Sequence, residues 1–215
     1  TYMTQSSSLK LIGLPQGDEN TWESLVATSP LGSIYHTPQW KRILERGFGF
    51  KAQYVAAYLN DEMVDGLPLF SIKKPLLGEK LISIPHCGRH SAFLSTDTVV
   101  HKHLVDLAVE VAQKKNVGYL ELRSCNDLNM SVLDTRQPVI FPVVPLLDSN
   151  ENLARMSANH RRSIRRAKKG HVSVYSASKY EELRNFYNIM AGQSQRFGSP
   201  MFPFKYFDTL WREFE

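Results

Sequence analysis

Six cations crowd nine positions of one stretch. In "ANHRRSIRRAKKGHVSV", residues 158–174, they are Arg161, Arg162, Arg165, Arg166, Lys168 and Lys169. Four of the six are arginine, whose planar fork makes paired hydrogen bonds to phosphate where lysine offers only a point charge. The chemistry this implies is phosphate binding, on a nucleotide-linked precursor or on tRNA. The competing reading is a solvated helix face. The chain carries +5, yet without these six there are 20 Lys+Arg against 21 Asp+Glu. The basic character therefore lies in one segment, which implies one anionic partner at one place. Residues 158–171 contain no Phe, Tyr or Trp. A single-strand binder would place stacking rings among its cations. A nucleic-acid-binding role thus narrows to backbone contact, and it stays open as an alternative.

Other residues could also do chemistry. His86, Cys87 and His90 lie in "HCGRH", and a thiolate beside a base can act as a nucleophile. That spacing is not a zinc pattern and has no fourth ligand nearby, so no metal is expected. A strand-end loop lining a pocket is the favoured reading. Trp40, with Tyr35 and His36, could line a ligand cleft, although a large ring on an apolar helix face is more often a core anchor. Glu121 and Arg123 point to one face of a strand. They form an acid/base pair or a structural ion pair, and the second is favoured.

These groups need elements to position them. Leu9–Leu14 alternates weakly and reads as an opening strand. "HTPQWKRILERGFG" predicts a helix capped by Thr37, with Pro38 in its first turn and Gly47 at its end. "QYVAAYLNDEMVDGLPLFSIKK" predicts a hairpin joined at Asn60-Asp61-Glu62, and "EKLISIPHCG" a third strand of the same meander. Residues 99–115 predict a long helix, followed by the strand "VGYLELRS". "PVIFPVVPLL" reads as an extended, proline-interrupted run. Asp148 is placed to cap one long basic helix ending at Gly170. The stripe Leu153, Met156, His160, Ile164 and Ala167 makes that helix amphipathic, with cations on both shoulders. "HVSVY" predicts a short strand. "SKYEELRNFYNIMAGQSQRFG" and "FKYFDTLWREFE" predict two more helices. Strands, a long helix and another strand imply an α/β or α+β layer structure.

Composition sets outer bounds. Hydrophobic content of 42% and charged content of 22% are those of a globular protein. No apolar run approaches the ~20 residues that span a bilayer. The N-terminal stretch lacks a basic flank and apolar core, so it is not read as a signal peptide. Cys87 and Cys125, 38 residues apart, form no disulfide framework and fit a reducing, cytoplasmic compartment.

The order of these segments resembles the FemAB-like acyltransferases of the N-acetyltransferase (GNAT) superfamily. They are related to the enzymes that add amino acids to peptidoglycan precursors. The matching segments are "PQWKRILERGFGFKAQYVAAYLNDEMVDGLPLFSIKKPLLGEKLISIPHCG", "VGYLELRS", "HRRSIRRAKKGHVSV" and "FYNIMAGQSQRFGSPMFPFKYFDTLWREF". The chain looks closest to FemAB-related proteins of exopolysaccharide and exosortase-type gene neighbourhoods. The resemblance implies a GNAT-like mixed sheet flanked by helices. It implies a first GNAT-like domain over 1–150, then a basic linker helix and the opening helices of an incomplete second domain over 151–215. The implied reaction moves an acyl or aminoacyl group onto an amine of a cell-envelope, polysaccharide or peptidoglycan-type precursor. The acyl donor is left open among acyl-CoA, an acyl carrier and charged tRNA. "SIPHCGRHSA" is not the Gly-rich pyrophosphate loop of a CoA-binding GNAT, so no cofactor is expected in this segment. The implied partner is a phosphorylated or nucleotide-linked precursor, with peripheral contact to a membrane-bound form of it. The phosphate-binding set is Arg161, Arg162, Arg165, Arg166, Lys168 and Lys169. Trp40, His86, Cys87 and Arg196 are secondary pocket candidates, Arg196 because "SQRFGSPMFP" sits near the family's substrate cleft. A non-catalytic, partner-binding fragment is the remaining alternative.

Overall fold

The computed structural model describes residues 9–13, 18–75, 78–86, 92–124, 133–134 and 145–215. Two compact units emerge, one from Thr1–Thr135 with Tyr187–Glu215, the other from Arg136–Phe186.

The first unit opens with β1 (Leu9–Gly13), where the alternation placed a strand. Helix α1 (Glu19–Thr28) follows. It was not expected from the sequence, although Asp18 stands at its N-cap position, where it makes no side-chain capping bond. A 3-10 turn (Ile34–His36) leads into α2 (Pro38–Phe48). Thr37 Oγ1 accepts from the Trp40 amide at 3.3 Å and Pro38 sits in the first turn, as expected. Gly47 was expected to end this helix but lies inside it, and the stop is Gly49 at φ 75. Gly47 serves a close approach instead. A Cβ there would lie 3.0 Å from Cα of Tyr206, so its absence lets α7 (Phe204–Phe214) rest on α2. Across that seam the Glu213 carboxylate accepts from Arg42 Nε at 2.7 Å and from an Arg46 guanidinium nitrogen at 2.9 Å.

Strands β3 (Val55–Leu59) and β4 (Glu62–Leu67) form the expected hairpin. Asn60 and Asp61 close it at φ 52 and 65, the left-handed turn these residue types tolerate. The second arm does not continue as one strand. Pro68 has no N–H for a ladder, and the chain resumes as β5 (Leu69–Lys74) in another sheet. One sheet has the order β1-β3-β4. The other runs β2-β5-β6-β7, with β2 at Lys51–Ala52, β6 at Gly78–Ser83 and β7 at Tyr119–Glu121. β6 and β7 are parallel, with Leu81 opposite Leu120, while the other described pairs are antiparallel. A parallel pair requires a crossover, and α3 (Thr98–Lys114) supplies it, capped by the Asp97 carboxylate on the Val99 and Val100 amides. The result is the expected mixed α/β architecture, with a mixed sheet flanked by helices.

The core of this unit gathers Trp22, Ile43, Leu44, Leu67, Phe70, Leu81, Phe93 and Leu104. Trp22 lies directly over Gly66 in β4, where a Cβ would come within 2.2 Å of its Cζ3.

The second unit departs further from the sequence reading. One long helix was expected from Asp148 to Lys169, but two form, α4 (Ser149–Arg155) and α5 (Ala158–Lys169). Asp148 caps the first, its Oδ1 accepting from the Asn150 and Glu151 amides at 2.8 and 3.1 Å. Met156 and Ser157 turn extended, and Ser157 Oγ starts the second helix by accepting from the His160 amide. The apolar stripe expected to be packed is not, since α5 buries no residue. The strand expected at "HVSVY" does not form either. No described strand pairs with it, and Val174 is 95% exposed. Helix α6 (Tyr180–Arg196) forms as expected.

Trp22 cannot swing away from Gly66, because it is fully buried and its Nε1 donates to the His36 carbonyl at 2.6 Å. Gly66→Ala is therefore expected to cost about 1–3 kcal/mol by overpacking. Gly118→Ala, where no atom lies within 4 Å of the new methyl, is expected to stay within about 0.5 kcal/mol. Urea midpoints of the two variants check this.

Candidate functional site

Residues able to do chemistry fall in both units. In the second unit, Arg162, Arg165, Arg166, Lys168 and Lys169 are exposed along α5. Among the described residues, no ion pair takes up any of them. Arg166, Lys168 and Lys169 crowd the last turn, where the helix dipole favours positive charge. Arg161 differs, being half-buried. Its guanidinium donates to the Met156 carbonyl and, at 3.2 Å, to the Ala154 carbonyl, bracing the corner between α4 and α5.

In the first unit, the parallel strands β6 and β7 end side by side. Ligands of α/β sheets gather beyond such carboxyl ends. After β6 the backbone turns left-handed at two residues that are not glycine, Ile84 at φ 41 and His86 at φ 64. Such strain costs of order 1–3 kcal/mol per residue and concentrates at functional positions. After β7, Arg123 braces both ends of the crossover loop. Its guanidinium donates to the Ile84 carbonyl at 3.1 Å, its amide donates to Ser83 Oγ at 2.9 Å, and its carbonyl accepts from the Ala92 amide at 2.9 Å. Glu121 holds that guanidinium through two contacts of 3.0 Å, so the pair is the structural ion pair favoured from sequence.

His86 lies exposed among rings. Its imidazole stands 4.7 Å from Phe48, 5.5 Å from Phe50 and 5.2 Å from Phe202, centroid to centroid. Phe48 also meets Tyr206 at 4.9 Å, which the α2–α7 contact at Gly47 makes possible. Trp40 is 6% exposed and edge-on to Tyr35 at 4.8 Å, so it is a core anchor. Its Nε1–H is buried with no hydrogen-bond partner among the described residues. Arg196 is exposed at the end of α6. Cys87 and His90 lie outside the described residues, as does Cys125. His103 is exposed on α3, while His101, two residues earlier, is fully buried. An open groove of about 480 Å³ runs between the end of α3 and β7, but its lining is polar and apolar in about equal measure and it shares no residue with these sets.

The sequence reading missed a buried polar knot. Asp65, fully enclosed in β4, accepts on Oδ1 from the amides of Gly66, Leu94 and Ser95 at 2.7, 2.8 and 3.0 Å. Its Oδ2 accepts from Ser95 Oγ at 2.7 Å and lies 3.3 Å from His101 Nε2. That nitrogen is also 2.9 Å from the Ser95 carbonyl, and two acceptors around it place the hydrogen there. Burial alone would push the Asp65 carboxyl up. Hydrogen bonds from His101, Ser95 and Gly66 outweigh it and hold the group below the ordinary aspartate value. The available signal was a lone acid inside "MVDGLPL", a run otherwise suited to burial.

No family model matches the chain, and no curated protein matches its sequence. Among solved structures, the chain is similar to a crystal structure of FemX, with a TM-score of 0.63 at 16% identity. The match covers 95% of this chain and 54% of that one, so the chain spans about half the length of FemX. A ribosomal-protein-alanine N-acetyltransferase from Brucella melitensis biovar Abortus 2308 matches with a TM-score of 0.42 at 13% identity, over 64% of this chain and 99% of that one. The match to FemX shows a FemX-like fold, in line with the mixed sheet flanked by helices that the sequence resemblance implied. Among the described residues, no helix is long and apolar enough to cross a membrane.

The depressed Asp65 carboxyl contributes stability above the unfolded-state value near pH 3.9 and loses it as pH falls through the lower folded value. Asp65→Asn is expected to cost about 3 kcal/mol at pH 7, and the gap to the parent should narrow well below pH 4. Urea midpoints across pH 2–7 test this, and a gap independent of pH would show that the charge is not what matters.

Proposed function

We propose that this chain belongs to an acyltransferase that moves an acyl or aminoacyl group onto an amine of a phosphorylated, cell-envelope-type precursor. The supporting observation is the FemX-like fold across 95% of the chain. In this reading residues 1–150 are a first GNAT-like domain, and residues 151–215 are the linker helix and opening helices of a second. The amine attacks the carbonyl of an activated ester or thioester. Such a reaction asks the protein for alignment, proton removal and stabilisation of the developing oxyanion.

The exposed Arg162, Arg165 and Arg166 of α5, in no ion pair among the described residues, suit the precursor's phosphates. Arg162 and Arg166 lie one turn apart, as do Arg161 and Arg165, so neighbouring forks on one face can share a diphosphate. Lys168 and Lys169 add longer-range attraction. Arg161 joins from the corner that it braces. Of the secondary candidates, His86, Cys87 and Arg196 remain for a contact made within the first unit, while Trp40 serves its core. The reaction is proposed for the cytoplasm, where nucleotide-linked precursors and charged tRNA are both present.

Isothermal titration with a nucleotide diphosphate-sugar tests the phosphate reading. Arg162→Ala with Arg165→Ala is expected to weaken binding at least about tenfold, at a cost of one charge-assisted contact each. The melting temperature should hold, because both side chains are exposed. Unchanged affinity alongside a collapsed melting temperature would make these arginines structural. Micromolar binding of generic RNA with a steep salt dependence, and none of the sugar nucleotide, would favour a polyanion-binding module instead.

A further inference from the structure

The second unit has a feature that the phosphate reading does not use. Between Glu151 and Glu181 it carries eight Lys and Arg and no Asp or Glu. Every residue of that run is exposed or half-buried, and His171 to Tyr180 are exposed without interruption. Apolar side chains share this surface with the charges. Val172 is 63% exposed, Val174 95% and Tyr175 72%. Leu153 and Met156, on the approach to α5, are exposed as well.

The chain leaves α5 in a set direction. His171 turns left-handed at φ 55. Its amide donates to the Lys168 carbonyl at 3.2 Å, and the Val172 amide donates to the Ala167 carbonyl at 3.1 Å. These two bonds are the Schellman close of a helix. They hold the backbone of Val172 beside the last turn of α5, where Arg166, Lys168 and Lys169 lie. The apolar segment therefore begins against the densest positive charge of the chain. Neither simpler role explains it. A solvated basic face gains nothing from exposed apolar groups, and a sugar-phosphate backbone offers valine no partner. A bilayer interface takes both, since its headgroups attract the cations and its acyl boundary accepts the apolar side chains.

We infer that this surface of the second unit docks on an anionic lipid bilayer. The cations of α5 lie against the headgroups, their long side chains reaching to the charge. Val172, Val174 and Tyr175 enter the boundary between headgroups and acyl chains. Tyrosine suits that boundary because its ring is apolar and its hydroxyl stays wet. Contact of this kind is peripheral and reversible, and it asks for no spanning helix. It goes beyond the acyl-transfer reading and does not rest on it. Because α5 would serve both, the test separates a lipid surface from a soluble phosphate.

The full chain is sedimented with sucrose-loaded vesicles, of phosphatidylcholine alone or of phosphatidylcholine mixed with phosphatidylglycerol. Binding is expected to the anionic vesicles only. It should be lost as salt rises from about 0.1 to 1 M, which shortens the screening length from about 10 to about 3 Å. Arg165→Ala with Lys169→Ala is expected to weaken it at least about tenfold, since each cation near an anionic surface contributes about fivefold. Val174→Ser with Tyr175→Ser is expected to weaken it about tenfold as well, by removing the inserted groups. That second variant should bind a nucleotide diphosphate-sugar as the parent does. The substituted side chains are all exposed, so both variants should keep the parent's melting temperature. The inference is overturned if anionic vesicles bring down no protein. It is overturned too if the Val174 and Tyr175 substitutions leave vesicle binding unchanged, which would reduce the contact to charge alone. Sugar-nucleotide binding without vesicle binding would sink this inference and spare the phosphate reading, and the reverse result would do the opposite. Binding of generic RNA in place of vesicles would also overturn it.

Discussion

A buried carboxylate sets the terms for the first unit. Desolvating Asp65 without partners would cost several kcal/mol, so its place in β4 is tenable only while its donors stay put. Those donors come from three pieces of chain. Gly66 is its neighbour, Leu94 and Ser95 belong to the crossover loop, and His101 belongs to the first turns of α3. The acid therefore anchors the end of the crossover to the opposite sheet. Phe93, stacked on His101 at 4.2 Å, carries the same junction into the core. Ser29, whose hydroxyl donates to the Leu94 carbonyl, fastens α1's end to it as well.

The start of that crossover is fixed by different means. Arg123 reaches from the end of β7 to the Ile84 carbonyl, and Glu121 keeps its guanidinium in place. Arg123 thus holds the backbone two residues before the His86 ring. Its aromatic surroundings then depend on Gly47, which lets α7 come close enough for Tyr206 to reach Phe48. Glu213 locks the far end of the same pair of helices against Arg42 and Arg46. Local strain, a missing methyl and a shared carboxylate thus act on one small region.

Much of this could be read from the chain, and what could not has a common cause. Thr37-Pro38 and Asp148 announce helix starts because a cap acts over three residues. Asn60-Asp61 announces a turn for the same local reason. Pro68 and Ser157 were equally local, yet each was read as part of a longer element. A proline's missing donor matters only once the ladder is known, and a serine caps only once the chain has chosen to stop. Gly47 looked like a helix end because its purpose lies in Tyr206, far along the chain. The Asp65 knot and the rings about His86 unite residues some 30 to 150 positions apart, beyond any periodicity. For α5, composition gave the charges and the helix, but its apolar stripe did not reveal that Ile164 and Ala167 would be no more than half-buried.

Ile84 carries a consequence for how this loop can change. The position is sealed from solvent and set at φ 41. Glycine would adopt that backbone without penalty but would empty the space the isoleucine fills. Any bulkier replacement keeps the space filled and inherits the unfavourable torsion. Neither route improves on what is there, so the site is caught between two losses, and single-step variation at this residue has nowhere better to go.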